Sequence, residues 1–211
     1  MVSQKSQTRN HRGSAVDLTD AQVKAAIALA STGPQAARNT ALLRLALTLG
    51  LRVSDLAGLE WRDVLNASGE VSDRLIIRPE TAKYGGGARL PVPTQVKQAL
   101  QALLTEECRR FGPPSPTRPL FRSQRGFMQR HSMVSWFKRL YETAGAKGAS
   151  SHSSRRYALT QMARKISQAG GSLRDVQAIA RHKSIQTTQG YLAQSSAAQT
   201  DVLNLVDRMV R

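Results

Sequence analysis

Between residues 74 and 92 the chain changes its period, and that change limits the folds open to it. On either side, apolar residues recur at steps of three and four, the spacing of amphipathic helices. Inside it, RLIIR at 74–78, residues 80–83 and residues 88–92 are short and strand-like, with Gly85-Gly86-Gly87 as a turn. A strand stretch this short makes a small antiparallel sheet set into a helical protein. The fold class is therefore mainly α with a small antiparallel β-sheet (α+β).

The helical parts carry their own punctuation. Thr19 or Asp20 caps a first helix with Val23, Ala26, Ile27 and Ala30 on one face, and Gly33-Pro34 ends it. A second helix runs to about Gly50 on Leu42, Leu43, Ala46, Leu47 and Leu49, and a short third spans 54–59. A helix near 94–110 precedes GPPSPTRP at 112–119, a surface loop. From Met133 onward the pattern is helical. Ala158, Leu159, Met162, Ala163 and Ile166 make one stripe, and Ser172 with Asp175 makes a capping box for a helix through Val176 and Ile179. A last amphipathic segment carries Val202, Leu203, Leu205, Val206, Met209 and Val210. There are no internal repeats. The 211 residues suffice for one sizeable core, so residues 15–211 are expected to form one domain behind a basic, flexible tail at 1–14.

Charge narrows the partner. Lys and Arg number 31 against 14 Asp and Glu, a formal net charge of +17. Such an excess costs stability through self-repulsion unless a polyanion neutralises it. The excess is also concentrated: residues 118–183 hold 14 basic residues, with Glu142 and Asp175 as the only acids. A simply solvated surface more often intersperses the signs. Nucleic acid fits. A basic RNA-binding protein is disfavoured, because only ten Phe, Trp and Tyr are present and few are placed to stack on bases.

Cys108 is the only cysteine, which rules out an internal disulfide and suits a reducing compartment. MVSQKSQTRNHRG lacks an apolar signal-peptide core, and the longest apolar run, ALLRLALTLGL, is broken by Arg44. The expected location is the cytoplasm, with no membrane partner. No GxxxxGK[ST], no Cys/His ligand cluster and no close acidic cluster is found, so no cofactor and no metal is expected.

The same basic region contains His152 and Arg155 as HSSR and then His182, and Tyr191 follows beyond it, nine residues after His182. Far upstream lie Arg52 in TLGLRVSDLAGLEW and Lys83 in TAKYGGGARLPVP. A tyrosine hydroxyl ionises near pH 10 and is a poor nucleophile at neutrality. Its attack on a phosphodiester needs a base for the proton, cations for the phosphoryl oxygens and an acid for the leaving oxygen. The chain holds all of these residue types.

Taken singly these motifs are usually structural: an H-x-x-R pair lies on a helix surface, and a lone tyrosine packs in a core. In this order, with a nine-residue step from His182 to Tyr191, they resemble the tyrosine recombinase (phage integrase) family over about residues 18–191. The resemblance implies that Arg52 is the first arginine, in L-G-L-R-V-S-D, with Asp55 as the acid that helps orient it. It further implies Lys83 as the hairpin lysine, His152 and Arg155 as the H-x-x-R pair, His182 as the later histidine and Tyr191 as the nucleophile. The implied activity is site-specific DNA recombination, integration or inversion, through a 3′-phosphotyrosyl intermediate. The implied partners are double-stranded DNA, three further copies of the chain in a tetramer on paired DNA sites, and accessory DNA-bending proteins at a bacterial nucleoid. A type IB topoisomerase-like relaxing enzyme and a catalytically silent DNA-binding regulator of the same fold are the alternatives.

Three positions depart from the family pattern. Ser154 stands where an apolar residue is common, Ala180-Arg181 where Leu-Gly is common, and Gly190 where bulkier residues precede the tyrosine. No separate N-terminal clamping domain is expected, and the size is similar to that of the short fimbrial phase-switching invertases.

Overall fold

The structure is a computed structural model that describes residues 15–81, 87–123 and 126–191. The described chain is divided into two compact units, one up to Ala158 and one from Leu159.

The first unit is built around a helix buried on nearly every side. Thr19 caps α1 (Asp20–Ala30): its hydroxyl accepts from the Gln22 amide while the Gln22 side chain accepts from the Thr19 amide, which satisfies two orphan donors at once. α2 (Ala36–Thr48) buries Ala41, Leu42, Leu43, Leu45, Ala46 and Leu47. These apolar residues lie around most of the helix and need covering, and α1 and α4 (Thr94–Phe111) pack against it. Each fully buried leucine here is worth about 1.5–3 kcal/mol relative to exposure. After α2 the chain turns through Gly50, whose φ of 62° lies in the left-handed region, and enters α3 (Val53–Gly58).

The hairpin expected at 74–92 is present. β1 (Arg74–Ile77) pairs antiparallel with β2 (Ala88–Pro91), with Leu75 opposite Leu90 and Ile77 opposite Ala88. Leu75, Ile77 and Leu90 face the core. Residues 80–81, which the sequence suggested to be strand, instead belong to a turn in which the Thr81 amide donates to the Arg78 carbonyl. Residues 82 and 83 lie outside the described residues.

A second hairpin was not anticipated. β3 (Arg122–Ser123) pairs with β4 (Gly126–Phe127) just before α5 (Arg130–Thr143). Two residues per strand give no alternation to detect. Glu107, 6% exposed on α4, forms ion pairs with Arg118 and Arg122 and ties this segment down. α5 buries Met133, Phe137 and Tyr141, and α6 (Ser151–Lys165) follows a loop over 144–150.

The second unit takes up the end of α6, a 3-10 turn (Ile166–Ala169), α7 (Leu173–Ala180) and α8 (Ile185–Gln189). Ser172 and Asp175 form the capping box of α7 as expected. Val176 and Ala180 supply its buried face, and α7 packs on α8. Among the described residues, no helix is long and apolar enough to cross a membrane. The tail at 1–14 and the stripe from Val202 to Val210 lie outside the described residues.

Candidate active site

Arg52 is placed by the end of one helix and the start of another. It is the N-cap of α3, with extended backbone at φ −71° and ψ 151°. Its amide donates to Oδ2 of Asp55 at 2.9 Å, and Asp55 is 1% exposed. The acid thus holds the main chain of Arg52 in place. A carboxylate in the first turn also complements the helix dipole.

Arg155 reaches the same turn from far along the chain. The N-terminus of α6 is a run of serines that cap one another. The Ser150 hydroxyl accepts from the His152 amide, and the Ser153 hydroxyl accepts from the Ser150 amide. This start leaves His152 exposed on the first turn and, three residues on, buries Arg155 to 6%. Nη1 of Arg155 donates to the carbonyl of Gly50, two residues ahead of Arg52. Two arginines 103 positions apart in sequence are thereby brought to one turn of the first unit.

Ser154, the residue out of pattern in HSSR, is fully buried, and its hydroxyl lies 2.7 Å from the Tyr141 hydroxyl on α5. The polar residue is tolerated because a polar partner meets it. Burial pushes the Tyr141 phenol well above its ordinary pKa, and the bond to Ser154 offsets part of that rise.

Lys83 lies outside the described residues; the exit from β1 that precedes it is anchored. Arg78 bridges Glu60 and Asp63 and donates to the Gly58 carbonyl at 2.7 Å. Burial pushes the Asp63 carboxyl up, against the pull of the Glu60 amide and Arg78. A Cβ built on Gly58 would stand 2.7 Å from Cβ of Thr81, so the hairpin entry sits directly on the end of α3.

In the second unit, His182 and Tyr191 are neighbours. Their ring centroids are 5.9 Å apart with planes at 9°. α7 ends in a Schellman-type closure: the Arg181 amide donates to the Ala178 carbonyl and the His182 amide to that of Gln177. Arg181 takes the left-handed conformation there, at φ 54° and ψ 47°. A glycine suits such a position, which explains why Leu-Gly is common where this chain has Ala180-Arg181. The Gln177 side chain then donates back to the His182 carbonyl at 3.0 Å. Nδ1 of His182 lies 3.0 Å from the hydroxyl of Thr188, which is fully buried. Gly190 has right-handed helical backbone, φ −59° and ψ −12°, a conformation open to any residue.

The structure therefore brings Arg52, Asp55 and Arg155 together in one unit and His182 with Tyr191 in the other. Gly50, Gly58, Arg78, Tyr141 and Thr188 support these groups without having been singled out for that in the sequence. Of these, the sequence marks Gly50 alone, and only as the end of the second helix.

Residues 17–198 match the phage integrase family, and the chain belongs to that family. Tyrosine recombinase XerC of Pelobacter propionicus is 31% identical over 157 residues, which are 73% of this chain and 47% of that protein. Among solved structures, the fold is similar to that of the Tn1549 transposon integrase in complex with transposon right-end DNA. That match has a TM-score of 0.69 and 21% identity, and covers 90% of this chain and 66% of the other. XerA recombinase matches with a TM-score of 0.69 and 22% identity over 90% of this chain and 64% of the other. The chain thus spans about half the length of the XerC relative and just under two thirds of these solved chains.

Proposed function

We propose that this chain is the catalytic part of a site-specific DNA recombinase that cuts and rejoins double-stranded DNA through Tyr191. The observation that carries the reading is the bond from Arg155 to the Gly50 carbonyl, which sets one buried guanidinium beside the turn that presents Arg52. The phenol oxygen of Tyr191 attacks phosphorus in line, the bond from phosphorus to the 5′-oxygen breaks, and a 3′-phosphotyrosyl ester remains. Charge builds on the two non-bridging oxygens. Arg52 and Arg155 meet it with planar, paired donors, which lysine provides less well, and His182 adds a third donor. His152 takes the phenolic proton from an exposed position at the start of α6, and Lys83 protonates the departing oxygen. Ionising an ordinary phenol unaided at pH 7 costs roughly 4 kcal/mol, and the role of these groups is to offset such a cost. The ester conserves the energy of the broken bond, so a 5′-hydroxyl from another strand reverses the step.

DNA is the partner that the charge supports; among the similar structures, XerA is a recombinase in name, and the Tn1549 transposon integrase is in complex with transposon right-end DNA. Exchange of four strands calls for a tetramer on two sites, with the stripe from Val202 to Val210 docking on a neighbouring protomer and accessory bending proteins assisting at the nucleoid in the cytoplasm. The deciding experiment uses nicked suicide DNA built from the sequences that flank this gene. A covalent protein–DNA adduct forms with the native chain and is absent with Tyr191→Phe. Recombinant joints support a recombinase; relaxation of any supercoiled plasmid without joints would instead indicate a topoisomerase-like enzyme. For Lys83, a substrate with sulfur at the leaving 5′ position needs no acid, so it restores cleavage to Lys83→Ala.

A further inference from the structure

Thr188 occupies a position that an apolar side chain would fill equally well. It is 0% exposed, on the inner side of α8, while its neighbour Thr187 is exposed. A buried hydroxyl costs free energy unless it is hydrogen-bonded. Here the hydroxyl meets Nδ1 of His182 at 3.0 Å. The backbone of the same histidine is clamped twice by Gln177, through main chain and side chain. The histidine is therefore held at its backbone and at Nδ1, and its ring lies within 9° of parallel to that of Tyr191.

We infer that Thr188 is a positioning residue for the reaction: its hydroxyl holds the His182 ring so that Nε2–H is kept as the donor to the phosphoryl oxygen. The inference rests on the role proposed for His182. A hydroxyl is chemically apt for this because it both donates and accepts. Toward a neutral ring it donates to Nδ1, which leaves the proton on Nε2. Toward a protonated ring it accepts from Nδ1–H, and Nε2–H is retained. A carbonyl at that place would only accept, would draw the neutral ring's proton to Nδ1, and would leave Nε2 unable to donate. With Thr188, the donor survives either charge state of the ring.

The experiment compares Thr188→Val, which keeps shape and loses the hydroxyl, with Thr188→Ser, which keeps the hydroxyl. Nitrogen NMR of the full chain without DNA reads the tautomer of His182, with its signals assigned by their loss in His182→Ala. The native chain and Thr188→Ser are expected to show a neutral ring with the proton on Nε2 and a hydrogen-bonded Nδ1. Thr188→Val is expected to lose the signature of the bonded Nδ1. On nicked DNA, Thr188→Val is expected to form adduct about tenfold more slowly, a misaligned donor rather than a missing one, and Thr188→Ser to stay within about threefold of native. Unchanged ring signals in Thr188→Val, or a native ring protonated on Nδ1 when neutral, would overturn the inference. If His182→Ala forms adduct at the native rate, the role given to His182 falls, while the ring signals still report whether Thr188 sets the tautomer.

Discussion

The Arg155 guanidinium donates to the main-chain carbonyl of Gly50, and Gly50 stands two residues ahead of Arg52. A planar guanidinium has five donors, so one can hold the turn while others face a phosphate; an ammonium has a single charge centre for both tasks. Arg155→Lys is expected to remain folded by circular dichroism but to form adduct about a hundred- to a thousandfold more slowly, as for loss of a preorganised donor. A rate within about threefold of native would show that this arginine is structural.

Gly58 and Thr81 approach closely where the chain leaves β1. Alanine in place of a helical glycine ordinarily gains up to about 1 kcal/mol, but here its Cβ would meet that of Thr81 at 2.7 Å. Overpacking of this kind costs about 1–3 kcal/mol, so the clash wins. Gly58→Ala is expected to destabilise the native chain and to be neutral or stabilising in a Thr81→Gly background. Denaturant unfolding of the four-member cycle measures the coupling; simple additivity would refute the contact.

What was legible in the sequence was local. Thr19 and the Ser172–Asp175 box declare helix starts within four residues, and the short strand-like runs around Leu75 and Leu90, with three glycines between them, declare a hairpin. The β3–β4 hairpin is too short to have a period. Residues 80–81 read as strand by composition, but the Thr81 amide turns back to Arg78. At the site, residue types and order carried the resemblance, whereas the supports depend on contacts across the chain. Gly50 read as a helix breaker, and its carbonyl receives a side chain from 105 residues away. Nothing in HSSR announces that Ser154 would find Tyr141.

That last pair makes a prediction about out-of-pattern residues. Ser154→Ala would leave the Tyr141 hydroxyl buried without its 2.7 Å partner, at a cost of about 1–3 kcal/mol. Removing both hydroxyls leaves nothing unsatisfied. Tyr141→Phe with Ser154→Ala is therefore expected to recover most of the loss in thermal or urea unfolding, and a double variant no better than Ser154→Ala would exclude the pairing.

α6 is also tied to the start of α1, where the Tyr157 hydroxyl donates to Asp20 at 2.8 Å. Burial, then the bond to and charge of Asp20, push the Tyr157 pKa up to about 12 from 10.0. A raised folded-state value stabilises the fold fully below the unfolded value and is lost as pH climbs through the folded one. The stability gap between native and Tyr157→Phe is thus expected to be constant below pH 10 and to close between pH 10 and about 12. A gap that is flat across that window would show that the bond contributes nothing.

Arg181 bears a backbone strain that its family's common glycine would not. A non-glycine residue in the left-handed conformation costs roughly 1–2 kcal/mol, and Arg181 sits at φ 54° at the end of α7. Because Arg181→Gly also removes a charged side chain, the comparison that isolates the backbone is Arg181→Gly against Arg181→Ala. Both lose the guanidinium, and only alanine keeps the strain. The glycine variant is expected to exceed the alanine variant by about 1 kcal/mol, read as slower hydrogen exchange of the amides in α7. Since the His182 amide closes that same turn, relief of the strain leaves the ring where it is, and adduct formation by Arg181→Gly should match that of Arg181→Ala. Equal exchange in the two variants would mean that residue 181 leaves the left-handed region in solution, and the closure that places His182 would then need another origin.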